Sequence, residues 1–230
     1  SGITVLEFSR VLAGPWCGMM LADLGADVIK IESFDGDDTR GMGPPYIGEI
    51  SAYFSCANRN KRSVCIDLHK PESAEVIAAL VKDADILIEN FRTGTAERLG
   101  VGYQAMQAIN PRLIYCSISG YGRTGPDAER AGYDYAVQAE GGLMAITGAR
   151  DGAPNKAAVA VVDLATGQNA VIAILAALQQ RHNTGLGQHV AVSLCDTQLT
   201  WLANIGAGVL FSGQDAPRYG NEHASIVHYE

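Results

Sequence analysis

Short apolar runs alternate with segments of helical periodicity along the first half of the chain. Residues 3–8 (ITVLEF) and 27–32 (DVIKIE) are apolar and β-branched, as buried strands are. Between them, apolar side chains from Trp16 to Leu24 recur at helical spacing, and Gly25 ends the predicted helix. A strand, a helix and a strand in succession predict a βαβ unit, and therefore a parallel sheet with a right-handed crossover.

The same alternation continues downstream. It predicts further strands at 63–68, 85–89, 112–119 and 188–194, and helices at 71–81, 133–140, 163–181 and 195–205. The segment 33–49 is polar, rich in Gly and Pro, and too long for an idle connection. We therefore expect an α/β fold, a Rossmann-like doubly wound parallel sheet, with ligands bound where the strands end.

Composition narrows the classes of function. Of 230 residues 47% are hydrophobic, which excludes disorder, and 17 basic against 25 acidic residues give a net charge of −8. This acidity disfavours nucleic acid and anionic membranes, and we expect no membrane span because no apolar run is long enough. Five scattered cysteines indicate a reducing compartment, which means the cytoplasm, or the mitochondrial matrix in a eukaryote.

Several familiar site motifs are missing from the sequence. The turn after the first strand, AGPWCG at 13–18, is not the G-x-G-x-x-G of dinucleotide sites, and Pro15 removes an amide that a pyrophosphate would use. The sequence holds no phosphate-binding P-loop and no G-x-S-x-G nucleophile elbow. The histidines lack zinc-ligand spacing, so we expect no metal and no permanently bound cofactor.

One carboxylate stands out, that of Asp163, between an apolar segment and a predicted helix. A structural role would be helix capping, since Asp is strongly preferred at that position. A chemical role is equally open, because a helix N-terminus keeps a carboxylate ionised at neutral pH and available as a nucleophile. Both roles can hold together.

A set of motifs resembles one family throughout the chain, in the same order. They are 2–32 (GITVLEFSRVLAGPWCGMMLADLGADVIKIE), 58–63 (NRNKRS), 89–91 (ENF), 120–122 (GYG), 162–167 (VDLATG) and 218–223 (RYGNEH). They resemble the family III CoA-transferases, also called the CaiB/BaiF family. The segments 131–134 (AGYD) and 223–227 (HASIV) are similar to those of transferases that use succinyl-CoA and dicarboxylic acids such as glutarate.

The resemblance implies a Rossmann-like large domain over 1–211, and a linker at 212–230 that leads into a small domain absent from this sequence. It also implies that two chains interlock as a homodimer in the full-length protein. Family members are longer, so we expect this sequence to be a truncated part of one.

The resemblance also implies a reaction and its nucleophile. CoA would move from an acyl-CoA to a free carboxylic acid through an aspartyl-CoA thioester on Asp163. Racemases of the family use a histidine at the position of Tyr133, and a phenol is a weak base at neutral pH. A racemase or epimerase, and a catalytically silent CoA-binding subunit, are the alternatives. Tyr133 is either a core aromatic or a wall of the pocket.

The family's CoA contacts carry over to positions at the ends of the strands. They are Val11, Leu12, Ala13, Ile66, Asp67, Leu68, His69, Asn90, Phe91, Arg98 and Tyr133. Arg98 is the expected phosphate partner, since a guanidinium pairs well with phosphate; the alternative is a solvated helix arginine. Ser33 stands where some relatives carry arginine, which puts a contact there in doubt.

Overall fold

A six-stranded parallel sheet forms the centre of the molecule. The computed structural model describes residues 2–226. Its strands are β1 (Thr4–Glu7), β2 (Asp27–Glu32), β3 (Tyr46–Ile47), β4 (Ile50–Ser51), β5 (Lys61–Cys65), β6 (Ile86–Glu89), β7 (Ile114–Ser119) and β8 (His189–Ser193). The order in the sheet is β5-β2-β1-β6-β7-β8, and β3 pairs with β4 in a separate antiparallel hairpin. Without that hairpin, the order is the 3-2-1-4-5-6 of a Rossmann fold.

Ten helices connect and cover the strands. They are α1 (Ala13–Asp23), α2 (Ala52–Asn58), α3 (Ser73–Lys82), α4 (Thr95–Arg98), α5 (Tyr103–Ile109), α6 (Asp134–Glu140), α7 (Leu143–Ile146), α8 (Val161–Thr184), α9 (Leu194–Trp201) and α10 (Ala203–Ser212), all within residues 2–226.

The core lies in two layers, one on each face of the sheet. Val5 and Leu6 show the reason, because successive strand residues point to opposite faces. Val5 joins a cluster with residues of α1 and α8, whereas Leu6 joins a cluster with residues of α3 and α5. Burial on both faces explains why these strands are apolar runs rather than alternating sequences. The doubly wound α/β prediction is confirmed.

Helix α8 is long and apolar enough to cross a membrane by length and composition alone. Its buried side chains, however, pack in the protein core: Ala170, Ile174 and Ala177 are fully buried against the sheet and α1. It is a core helix.

Three predictions need correction. The segment predicted as a loop at 33–49 contains a short 3-10 helix (Asp38–Gly41) and strand β3. The helix predicted at 195–205 is two helices, α9 and α10, with Leu202 between them. The strand predicted at 63–68 runs from Lys61 to Cys65. The predicted linker at 212–230 stays a prediction; its residues 227–230, and Val227 of the HASIV motif, lie outside the described residues.

Candidate active site

A cavity of about 280 Å³ opens at the carboxyl edge of the sheet. Its walls come from the segments that follow β1, β6 and β7, together with Tyr133 before α6 and Asp163 in α8. Strands β1 and β6 are neighbours whose connections leave in opposite directions, which is where open α/β sheets bind ligands.

The cavity brings together seven of the twelve predicted site residues. They are Val11, Leu12, Ala13, Asn90, Phe91, Tyr133 and Asp163. The segment Ile66 to His69 follows β5 at the edge of the sheet, outside this cavity, with the His69 amide donating to Asp67. Arg98 also lies outside it, exposed at the end of α4 and bonded to the Thr95 hydroxyl. Tyr133 is 69% exposed, so the core-aromatic alternative for Tyr133 is wrong.

The turn after β1 has an unusual backbone. Val11 has φ +69°, a left-handed conformation that a β-branched residue rarely adopts. Arg10, the residue before Val11, is held by Asn90 at the end of β6. The Arg10 amide donates to Asn90 Oδ1 at 3.0 Å, and Asn90 Nδ2 donates to the Arg10 carbonyl at 2.7 Å. The two strand ends therefore form one continuous wall.

Asp134 caps α8, and the capping role expected for Asp163 is wrong. The helix begins at Val161, which makes Asp163 its third residue. Asp134 Oδ2 accepts the amides of Val162 at 2.7 Å and of Asp163 at 2.9 Å. Asp134 itself begins α6, and Gln138 one turn later donates to its other oxygen. Since the cap comes from 29 residues away, no local spacing could have revealed it.

The sequence suggested that the carboxyl of Asp163 is fully ionised at neutral pH, and the structure corrects this. Burial, and then the nearby charge of Asp134, raise the pKa of Asp163 to about 7. A buried carboxyl with a strongly raised pKa at the wall of a cavity is a candidate functional group.

Three arginines line the cavity and were missed by the sequence analysis. Arg10 pairs with Asp38 at 3.2 Å, and Arg130 pairs with Glu140 at 2.6 Å. Arg92 is exposed beside them. Because Arg10 and Arg130 are each paired with a carboxylate, the net positive charge at the cavity comes from Arg92, which favours an anionic ligand.

Glu32, at the end of β2, gives a second argument against a dinucleotide site. In Rossmann enzymes an acidic residue there binds the ribose. Here the Glu32 carboxylate accepts bonds from Arg40 at 2.7 and 2.8 Å, from Ser63 and from the Asp37 amide. Burial alone would raise the pKa of Glu32, but these bonds lower it to about 2. Among residues 2–226, no cluster of three His, Cys, Asp or Glu suits a metal ion.

The family model for "CoA-transferase family III" matches residues 1–230. The chain belongs to CoA-transferase family III. It is 50% identical over its whole length to the succinate–glutarate CoA-transferase of Agrobacterium fabrum and 44% identical to the succinyl-CoA:glutarate CoA-transferase of Homo sapiens. A crystal structure of a CAIB/BAIF family protein from Brucella suis superposes with a TM-score of 0.95 at 49% identity, over 100% of this chain and 62% of that one.

This family III chain spans 59% of the Agrobacterium relative and 52% of the human one. The sheet and the cavity described above lie within this part of the relatives' length.

Proposed function

We propose that the complete protein transfers CoA from an acyl-CoA to a free carboxylic acid, with Asp163 as the nucleophile. The observation that carries the proposal is the Asp163 carboxyl, at the wall of the cavity with a pKa near 7. At neutral pH a substantial fraction is carboxylate, and partial desolvation makes that carboxylate reactive.

The chemistry balances without a cofactor. The Asp163 carboxylate attacks the thioester carbonyl, CoA leaves as thiolate, and a mixed anhydride forms. The thiolate then attacks the aspartyl carbonyl, which expels the donor acid and leaves an aspartyl-CoA thioester. The acceptor carboxylate attacks that thioester to form a second anhydride, and the released thiolate attacks the acceptor's acyl carbonyl, which restores Asp163. Water has to be excluded, since it would hydrolyse each intermediate.

We infer that CoA enters along the carboxyl edge of the sheet, where β1 and β6 end side by side. Val11, Leu12, Ala13, Asn90, Phe91 and Tyr133 line the inner cavity and suit the pantetheine arm. CoA is far larger than a cavity of about 280 Å³, so its nucleotide end has to extend beyond it. Ile66 to His69 and Arg98, which lie outside the cavity, remain candidates for that end, and Arg92 joins them for phosphate.

The named relatives suggest the substrates. Both the Agrobacterium and the human relatives carry succinyl or succinate and glutarate in their names, and we propose a succinyl-CoA donor with a small dicarboxylic acceptor. The test is to incubate the complete protein with succinyl-CoA and a panel of mono- and dicarboxylic acids, and to separate the CoA esters by chromatography. We expect new dicarboxylyl-CoA esters.

Two further outcomes of that assay are informative. Exchange of the α-proton in deuterated water without a change of acid would indicate the racemase or epimerase alternative. Binding of CoA with neither transfer nor exchange would indicate a silent CoA-binding subunit. Either result would refute the proposed transfer.

We also propose that the complete protein is a homodimer of interlocked chains. Leu210 and Phe211 of α10 are 85% and 93% exposed, and Ile172 of α8 is 65% exposed. Large apolar side chains exposed to this degree are typical of surfaces that a partner covers. The five cysteines are free, which suits the cytoplasm or a mitochondrial matrix.

A further inference from the structure

We propose that Asp37 and Lys30 are positioning residues, which hold residues 9–15 in the shape that lines the cavity. This segment, called the turn below, comprises the connection after β1 and the first three residues of α1. This inference rests on the proposed function, since the turn is the wall along which CoA would bind. Neither residue touches the cavity itself.

Three buried side chains hold this turn at three separate points. Lys30 Nζ donates to the Ser9 carbonyl at 2.7 Å. The Val11 amide donates to Asp37 Oδ1 at 3.3 Å. Lys61 Nζ donates to the Pro15 carbonyl at 2.8 Å. The held points are spread across the whole turn, so its path is fixed from end to end.

The holding groups form one ionic network with Glu7. Lys30 lies 3.0 Å from Glu7 and 2.9 Å from Asp37, and Lys61 lies 2.8 Å from Glu7. Each of the four side chains is at most 2% exposed, and two positive charges balance two negative ones. Buried ion pairs add little stability over an apolar core, because desolvation offsets their attraction. The bonds to the turn give the network a geometric role instead.

The turn needs such a hold. Val11, at φ +69°, is in a conformation that persists only where its surroundings impose it. Its amide is held by Asp37, and Asp37 also accepts the Thr39 amide and hydroxyl at 3.0 and 2.7 Å. The same carboxylate therefore ties the strained residue to the loop that presents Asp38 to the cavity.

The held turn is also packed against the helix that carries the nucleophile. A Cβ atom at Gly167 of α8 would lie 2.7 Å from the Ala13 carbonyl oxygen, so the two backbones are in close contact there. A shift of the turn would move both the CoA wall and its spacing from Asp163. Misplacement of about 1 Å at a reacting site costs roughly 100-fold in rate.

The test is Asp37→Asn in the complete protein. The amide keeps an acceptor for Val11 and removes the charge that neutralises Lys30. We expect the backbone amides of residues 9–14 to exchange with deuterium at least about tenfold faster, and the dissociation constant for CoA to rise about tenfold. We also expect the KM for acyl-CoA to rise more than kcat falls. The matched control is Asp27→Asn in β2, which breaks an exposed pair with Arg62 and is expected to change none of these values.

A second variant, Lys30→Gln with Asp37→Asn, keeps the buried network neutral and is expected to fold with the same faster exchange. Native exchange and native CoA affinity in a folded variant would overturn the proposal, and so would failure of both variants to fold, which would assign the network to global stability. Exchange is measured without turnover. A wild-type protein that transfers no CoA would therefore refute the proposed function. The exchange rates would still show whether Asp37 and Lys30 hold the turn.

Discussion

At Asp163 the folded chain retains a proton that the unfolded chain releases. The pKa rises from 3.8 to about 7 on folding, because of burial and then of Asp134. Between those two values the folded state binds more protons than the unfolded state, so stability falls as pH rises through that window. Above about pH 7 the folded state bears the full loss of stability that comes from ionising the buried Asp163 carboxyl.

Asp163→Asn removes this loss of stability. We expect the variant to melt at a higher temperature than the wild type at pH 8, with a difference that shrinks as pH falls toward 4. Thermal unfolding between pH 4 and 8 measures it. The control is Asp196→Asn, an exposed aspartate at the same third position of α9. A constant difference at all pH values would show that Asp163 carries no such proton.

The charge of Asp134 adds to burial in raising the pKa of Asp163, the proposed nucleophile. Asp134→Asn removes the charge that raises the pKa of Asp163 but keeps an acceptor for the α8 amides. We expect kcat/KM of the wild type to rise with pH through about 7, and the midpoint in the variant to move to lower pH. An unchanged midpoint in a folded variant would contradict the electrostatic coupling.

The sequence and the resemblance found Asp163, but the sequence misjudged the state of its carboxyl. Asp163 at a helix start suggested an ionised cap, since local position was all that could be seen. Its actual state depends first on burial and then on Asp134, which approaches from another helix. Contacts between elements distant in sequence, such as the hold of Asp37 on Val11, leave no local pattern.

Among the elements, α1 and α8 meet at Gly167. A Cβ there would lie 2.7 Å from the Ala13 carbonyl oxygen and 3.0 Å from the Trp16 ring. We expect Gly167→Ala to destabilise the protein by about 1–3 kcal/mol through overpacking, despite the better helix propensity of alanine. Chemical denaturation measures the change.

The control for this variant is Gln168→Ala, at an exposed position of the same helix, where we expect a change within about 0.5 kcal/mol. A stabilised Gly167→Ala variant would show that the two helices do not pack as closely as described.

Most elements were predictable because their periodicity is strong. Strand β2 was predicted at its observed bounds, because its apolar residues Val28, Ile29 and Ile31 are all β-branched. The hairpin of β3 and β4 was missed, because two-residue strands leave no period to detect. The break at Leu202 was missed because apolar residues continue through it.

For the whole molecule, the apolar surface on α10 predicts association. We expect the complete protein to sediment as a dimer at micromolar concentration, and Phe211→Ser to weaken association at least about tenfold, since buried aromatics dominate interfaces. The control is Val76→Ser on α3, at a side chain that is 49% exposed. A wild-type monomer under these conditions would refute the dimer.

The proposed transfer by the whole molecule depends on a covalent bond between CoA and the Asp163 carboxyl. The direct measurement is peptide mass mapping of the complete protein after incubation with succinyl-CoA in the absence of acceptor acid and acid quenching. We predict a mass increase of one CoA thioester on the peptide that contains Asp163, present in Asp196→Asn and absent in Asp163→Asn. Transfer that persists in Asp163→Asn, with no adduct on the wild type, would contradict a covalent mechanism at Asp163.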